Sequence, residues 1–158
     1  MVKTHDASSI IVHLAAKILE LSISAMEKVK SNPIESSRRP DIAYELLIIL
    51  NCVDELLEIF NPSNTKLSRK FKFSNELNWD FRPWYCEKSE SIKSGVKLAI
   101  QTWEKDISTI KLRPDIPMTP EQYINEGLMM ELHRVNRESQ KIFDMTFEDK
   151  IVVVEIID

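Results

Sequence analysis

Glycine is nearly missing from this chain: Gly95 and Gly127 are the two in 158 residues. A sheet-rich domain needs glycine in its tight turns, and a phosphate-cradling loop needs it where backbone meets ligand. Their scarcity excludes glycine-rich nucleotide-binding loops and points away from a β-rich fold. Cysteine is as scarce. Cys52 and Cys86 lie far apart with no C-x-x-C pair, so neither a zinc cage nor a disulfide framework is expected. Basic charge does not dominate either, with 21 Lys and Arg against 25 Asp and Glu and a net charge of −4. No global field attracts nucleic acid. No apolar run approaches the roughly 18 residues of a membrane span. The start, Met1-Val2-Lys3-Thr4-His5-Asp6, is followed by no long uncharged apolar stretch. A signal peptide is therefore not expected, and the cytoplasm is the expected compartment.

What remains is ordinary globular composition, 43% apolar and 29% charged, in a length that suits a single helical domain over residues 1–158. Helical periodicity accounts for most of it. Ile11, Leu14, Ile18, Leu21 and Ala25 recur at steps of three and four, with Leu19, Ile23 and Met26 as a second stripe beside them. They predict a helix over about 8–30, buried on most of its circumference. Pro40 suits the first position of a second helix, which runs to Phe60 with Ile42, Leu46, Ile49, Val53, Leu57 and Phe60 inward. A third carries Ile92, Val96, Ala99, Trp103, Ile107 and Ile110, with Ser89 or Ser91 as its N-cap and Arg113-Pro114 at its close. Thr119-Pro120-Glu121-Gln122 is a capping box that opens a fourth helix, with Ile124, Leu128, Leu132, Val135 and Ile142 on its apolar side. The expected fold is mainly α: a four-helix bundle with two departures from helical pattern.

The first departure is a long basic-aromatic connection between helices 2 and 3, over 62–88. Lys70-Phe71-Lys72-Phe73 alternates at period two, as a short strand does. Trp79, Phe81, Arg82, Trp84 and Tyr85 follow. Large aromatics pin a long connection to a bundle, but Trp, Tyr and Arg also concentrate binding energy. Arg69, Lys70, Lys72, Trp79, Arg82, Trp84 and Tyr85 are thus candidate partner- or ligand-binding residues. The second departure is 150–157, Lys-Ile-Val-Val-Val-Glu-Ile-Ile, which favours a short C-terminal β-strand. Its backbone groups must find partners, with Ile151, Val153 and Glu155 as pairing residues. The partner is the basic segment 69–74, a second copy in a homodimer, or another protein's sheet edge. For the last, Ile151-Val152-Val153-Val154 flanked by acids resembles the short SUMO-interacting peptides, which bind by strand addition.

No catalytic constellation stands out. His13 lies on the polar side of the first helix, and His133 shares a helix face with Glu126, Met130 and Arg137. Neither belongs to an H-E-x-x-H or E-x-x-H pair. The arginine-then-histidine motif of HEPN helical nucleases is also missing, the order here being His133-Arg134. No cofactor and no metal are expected. The second helix is acidic instead: Asp41, Glu45, Asp54, Glu55 and Glu58 occur over 41–61 with no lysine or arginine. Three acids in its C-terminal half oppose the helix dipole by a few tenths of a kcal/mol each. Basic groups nearby would relieve them. Lys66, Arg69, Lys70 and Lys72 of the connection could do so, or a basic partner protein. Asp54, Glu55 and Glu58 are therefore the candidate partner-binding face. The expected function is non-catalytic protein binding, by an immunity, antitoxin or inhibitor-like protein or an assembly subunit. The alternative is a nucleic-acid-associated or hydrolytic helical domain acting through the basic-aromatic connection.

Overall fold

A computed structural model of the chain describes residues 8–31, 40–60, 71–73, 76–147 and 154–156. Four helices pack together: α1 (Ser8–Ser31), α2 (Pro40–Phe60), α3 (Glu76–Glu104) and α4 (Pro120–Phe147). Each packs against its two neighbours in a ring, α1 on α2, α2 on α3, α3 on α4, and α4 back on α1. Every neighbouring pair is antiparallel. Lys28 late in α1 meets Asp41 and Glu45 early in α2, and Phe60 at the end of α2 stacks on Tyr85 early in α3. Tyr85 in turn reaches Thr146 at the end of α4. Ala15 early in α1 receives Ser139 from late in α4. None of the four helices is long and apolar enough to cross a membrane.

The core lies where the periodicity placed it. Ile42, Leu46, Ile49, Val53, Leu57 and Phe60 of α2 are all buried, as are Ile92, Val96 and Ala99 of α3. Each such Ile, Leu or Phe is stabilised by about 1.5–3 kcal/mol relative to exposure. The expected core stripe of α4 is buried throughout: Ile124, Leu128, Leu132, Val135 and Ile142. Its capping box forms, with Gln122 N–H donating to Thr119 Oγ1 at 3.2 Å and Thr119 N–H donating to Gln122 Oε1 at 2.9 Å. Around α1 burial is narrower than its second apolar stripe suggested. Met26 is buried but Ile23 is 46% exposed, because α1 has helices on two sides, not three.

Two boundaries of the third helix differ from expectation. It opens at Glu76, so much of the presumed connection over 62–88 is helix. Pro83 lies inside it and forgoes the bond from its nitrogen to the carbonyl of residue 79. Helix continues past that defect because Tyr85, two residues on, is fully buried against Phe60. Ser89, expected as a cap, is buried mid-helix instead. At the other end α3 stops at Glu104, short of Ile107 and Ile110. Asp106 accepts hydrogen bonds from Ser108 N–H and Ser108 Oγ, both at 2.9 Å, and caps a 3-10 turn over Ile107–Thr109. A side chain that captures a nearby backbone N–H competes with helix continuation in this way.

Extended backbone occurs at Phe71–Phe73 (β1) and Val154–Ile156 (β2), which run antiparallel with Phe71 opposite Ile156, Lys72 opposite Glu155 and Phe73 opposite Val154. Residues 150–153 and 157 of the expected terminal strand, Ile151 and Val153 among them, lie outside the described residues.

Both glycines serve the same contact. A Cβ on Gly95 of α3 would stand 2.9 Å from Val135 Cγ2 of α4, and one on Gly127 of α4 would stand 3.2 Å from Thr102 Cγ2 of α3. The chain keeps its glycine for close helix approach and turns without it.

Candidate functional site

On α2 the side turned away from the core reads Tyr44, Leu47, Asn51, Glu55, Glu58, at steps of three and four, and all five are exposed. Tyr44 is 66% exposed and Leu47 54%, unusual for residues of their size on a helix otherwise well buried inward. The stripe begins apolar and ends acidic. Core positions are set by neighbours on both sides, so the outer positions fall between them and collect what the core does not use.

Of the three acids expected to form a partner face, Asp54 differs from the other two. Lys93 of α3 places its ammonium 2.9 Å from Asp54 Oδ1, and that hydrogen bond holds the Lys93 ammonium pKa above its usual range. Asp54 thus ties α2 to α3. Glu55 and Glu58 point outward and form no ion pair among the described residues. Nearer the N-terminus of α2, Glu45 is buried and bonded to Lys28 and, at 3.1 Å, to Ser24 Oγ, while Asp41 stands 3.5 Å from Lys28. Lys66, Arg69 and Lys70, expected to relieve the C-terminal acids, lie outside the described residues; Lys93 pairs with Asp54, and Lys28 with Asp41 and Glu45. Neither Lys28 nor Lys93 stood out in the sequence, because their helices bring them to α2 from 17 and 39 residues away.

The aromatic candidates separate as well. Tyr85 is fully buried, stacked on Phe60 with ring centroids 4.7 Å apart and edge-on to Trp84 at 5.2 Å. Thr146 Oγ1 gives its one hydrogen to Ile142 O, so the Tyr85 hydroxyl donates to Thr146 at 3.1 Å. Burial pushes the Tyr85 phenol up, against a smaller downward pull from Thr146. Tyr85 packs the core and presents nothing to a partner. Trp84 is half-buried, with Lys88 Nζ 5.8 Å from its ring centroid. Arg69 and Lys70 lie outside the described residues, Lys72 is in β1, and Trp79 and Arg82 are in α3.

Beside this cluster lies a buried carboxylate, Glu138 of α4. Lys88 Nζ is 3.2 Å from its Oε2, Lys141 Nζ 3.0 Å from its Oε1, and Arg137 Nε 3.8 Å from Oε1. Burial pushes the Glu138 carboxyl up, but hydrogen bonds from Lys141 and Lys88 and their charges outweigh it and hold it below its usual value. A polar seam runs from there along α1 and α4. Ser139 Oγ donates to Ala15 O at 2.9 Å, and Asn136 Nδ2 donates at 2.9 Å to Ser22 Oγ, which donates to Leu19 O. These bonds fix the register of α4 on α1.

An open groove of about 1120 Å³ follows the N-terminal half of α4, with Met118, Tyr123, Met129 and Met130 among its apolar walls and Lys105 over the Tyr123 ring. His13 and His133 are both exposed. Burial pushes the Cys52 thiol up, with Lys17 offsetting part of it, so it is held as an unreactive thiol. No three His, Cys, Asp or Glu side chains gather into a metal-holding group among the described residues. No protein-family model, curated protein or solved structure matches this chain.

Proposed function

We propose that this protein acts without catalysis, by binding a partner protein through the outer face of α2. The observation that carries the reading is the stripe Tyr44, Leu47, Asn51, Glu55, Glu58, exposed along its whole length. Internal lysines neutralise the inner acids and leave the outer two. An apolar end supplies area to remove from water, and an acidic end attracts and orients a basic surface. That combination suits an inhibitor or immunity-like protein facing a basic target, or a subunit of an assembly.

The test is affinity capture from the native host with a tag at the N-terminus, comparing wild type with Glu55→Gln/Glu58→Gln. Asp54 is left intact because it holds Lys93. Wild type is expected to retain a stoichiometric partner at low salt and release it at high salt. The double variant should retain several-fold less. Equal capture by both proteins would remove α2 from the binding surface.

The terminal segment is assigned an internal role in the same reading. The register of Val154–Ile156 against Phe71–Phe73 supports pairing within the chain over addition to another protein's sheet. Deleting residues 150–158 is then expected to lower the melting temperature by several degrees. An unchanged melting curve would return that strand to a partner.

A further inference from the structure

α2 and α4 turn outward on opposite sides of the ring. Each runs antiparallel to the α1 and α3 between them, so the two point the same way. The outer face of α2 begins with Tyr44 and Leu47 and ends with Glu55 and Glu58. The outer face of α4 begins with Tyr123 and Met130, the latter 64% exposed. It continues to Arg137 and Lys141, whose side chains are 67% and 45% exposed. Three cations, Lys88, Arg137 and Lys141, surround the single carboxylate of Glu138. Among the described residues positive charge is therefore in excess around Glu138, with Asp144, held by Gln140, one turn beyond.

The two faces match in spacing and in height. Leu47 to Glu58 and Met130 to Lys141 each cover eleven residues, about 16 Å of helix. Asp54 of α2 meets Lys93 of α3, and Gly95, two residues on, abuts Val135 of α4, while Phe60 reaches Thr146 through Tyr85. Leu47 consequently stands about level with Met130, and Glu58 about level with Lys141.

We propose that the chain associates head to tail with copies of itself, the α2 face of one copy seated on the α4 face of the next. The inference rests on the reading of α2 given above and names the partner that meets it. A sideways translation along the α2–α4 diagonal brings Tyr44 and Leu47 onto Tyr123 and Met130. The same step sets Glu55 and Glu58 against Arg137 and Lys141. Methionine adapts its shape to an incoming aromatic ring better than a branched side chain does. The contact joins different surfaces, so it grows into open chains, or into rings where each step adds a rotation. One helix face on another is near the low end of specific interface sizes. A dissociation constant between about 10 μM and 1 mM is expected.

Sedimentation equilibrium of the whole chain across that range tests the proposal. At low salt the weight-average mass is expected to climb above 18.4 kDa with concentration. It should fall back at about 1 M salt, where screening acts over about 3 Å. E55K/E58K and R137E/K141E should each remain at the monomer mass, and their equimolar mixture, in which opposite charges face each other again, should associate. Recovery on mixing separates lost association from lost folding. Met130→Ser, which alters no charge, should weaken wild-type association several-fold while leaving the circular dichroism melt in place. A wild-type mass fixed at 18.4 kDa up to about 1 mM, or one that rises with added salt, would overturn the self-association and leave the α2 reading to its own capture assay. Undiminished association of E55K/E58K would overturn the pairing of the α2 face with the α4 face.

Discussion

Between α3 and α4 there is no room for a methyl group at Gly95. Its added Cβ would meet Val135 Cγ2 at 2.9 Å, and Val135 is itself fully buried. Overpacking of this kind costs about 1–3 kcal/mol, against a helix-propensity gain near 1 kcal/mol for replacing glycine by alanine. Gly127 faces half-buried Thr102 at 3.2 Å, a side chain with room to yield. Gly95→Ala is therefore expected to lower the melting temperature, and Gly127→Ala to leave it unchanged or raise it slightly. Two thermal melts decide the order. Glu138 offers a second prediction. Its carboxyl is held below the usual value, so it contributes stability that is present above about pH 4.3, the unfolded glutamate value, and is lost as pH falls through the lower folded value. Glu138→Gln should cost about 1–3 kcal/mol at pH 7, less than a fully buried pair because Lys141 is half exposed. Chemical denaturation should show the gap between the two proteins closing as pH drops below about 4. A gap that persists at pH 3 would mean the loss is packing and not charge. Neither residue announced itself in the sequence. A glycine within a helix shows its purpose only through the neighbour it admits, and a glutamate on a helix looks solvated until two lysines are found around it.

The elements were legible to different degrees, and the reasons lie in particular residues. α2 and α4 could be read closely, because Pro40 and the Thr119–Gln122 box mark their starts and their apolar residues keep one period throughout. The sequence puts the start of α3 too late, at a Ser89 or Ser91 cap, because the basic-aromatic run over 62–88 departs from the helical pattern. What prevails is tertiary: Tyr85 fills the end of the core against Phe60 and Thr146, and helical backbone is what carries it there. At the other end Ile107 and Ile110 keep the helical period, yet Asp106 ends the helix by capping its own short turn. Periodicity cannot see such a local competition. The outer stripe of α2 was half legible. Its acids were visible from composition, whereas the exposure of Tyr44 and Leu47 depends on α2 having neighbours on two sides. Their place on the stripe is what gives the acidic end, Glu55 and Glu58, an apolar companion.

At the scale of the molecule, three of the four helix contacts join helices adjacent in sequence, and the fourth closes α4 on α1. Polar bonds span that closing seam, buried at Ser139 to Ala15 and partly buried at Asn136 to Ser22. They suit the contact that has the least help from a short connection. Antiparallel closure also sets the start of α1 and the end of α4 at the same end of the bundle, with the exposed stretch around Asp115 at the opposite end. The cyclic arrangement thus has no privileged first helix. Opened near Asp115 and spliced across the other end, a circular permutant would keep every helix contact while reversing which seam is local and which is distant. In geometric terms the chain's linear order is a matter of where the ring happens to be cut.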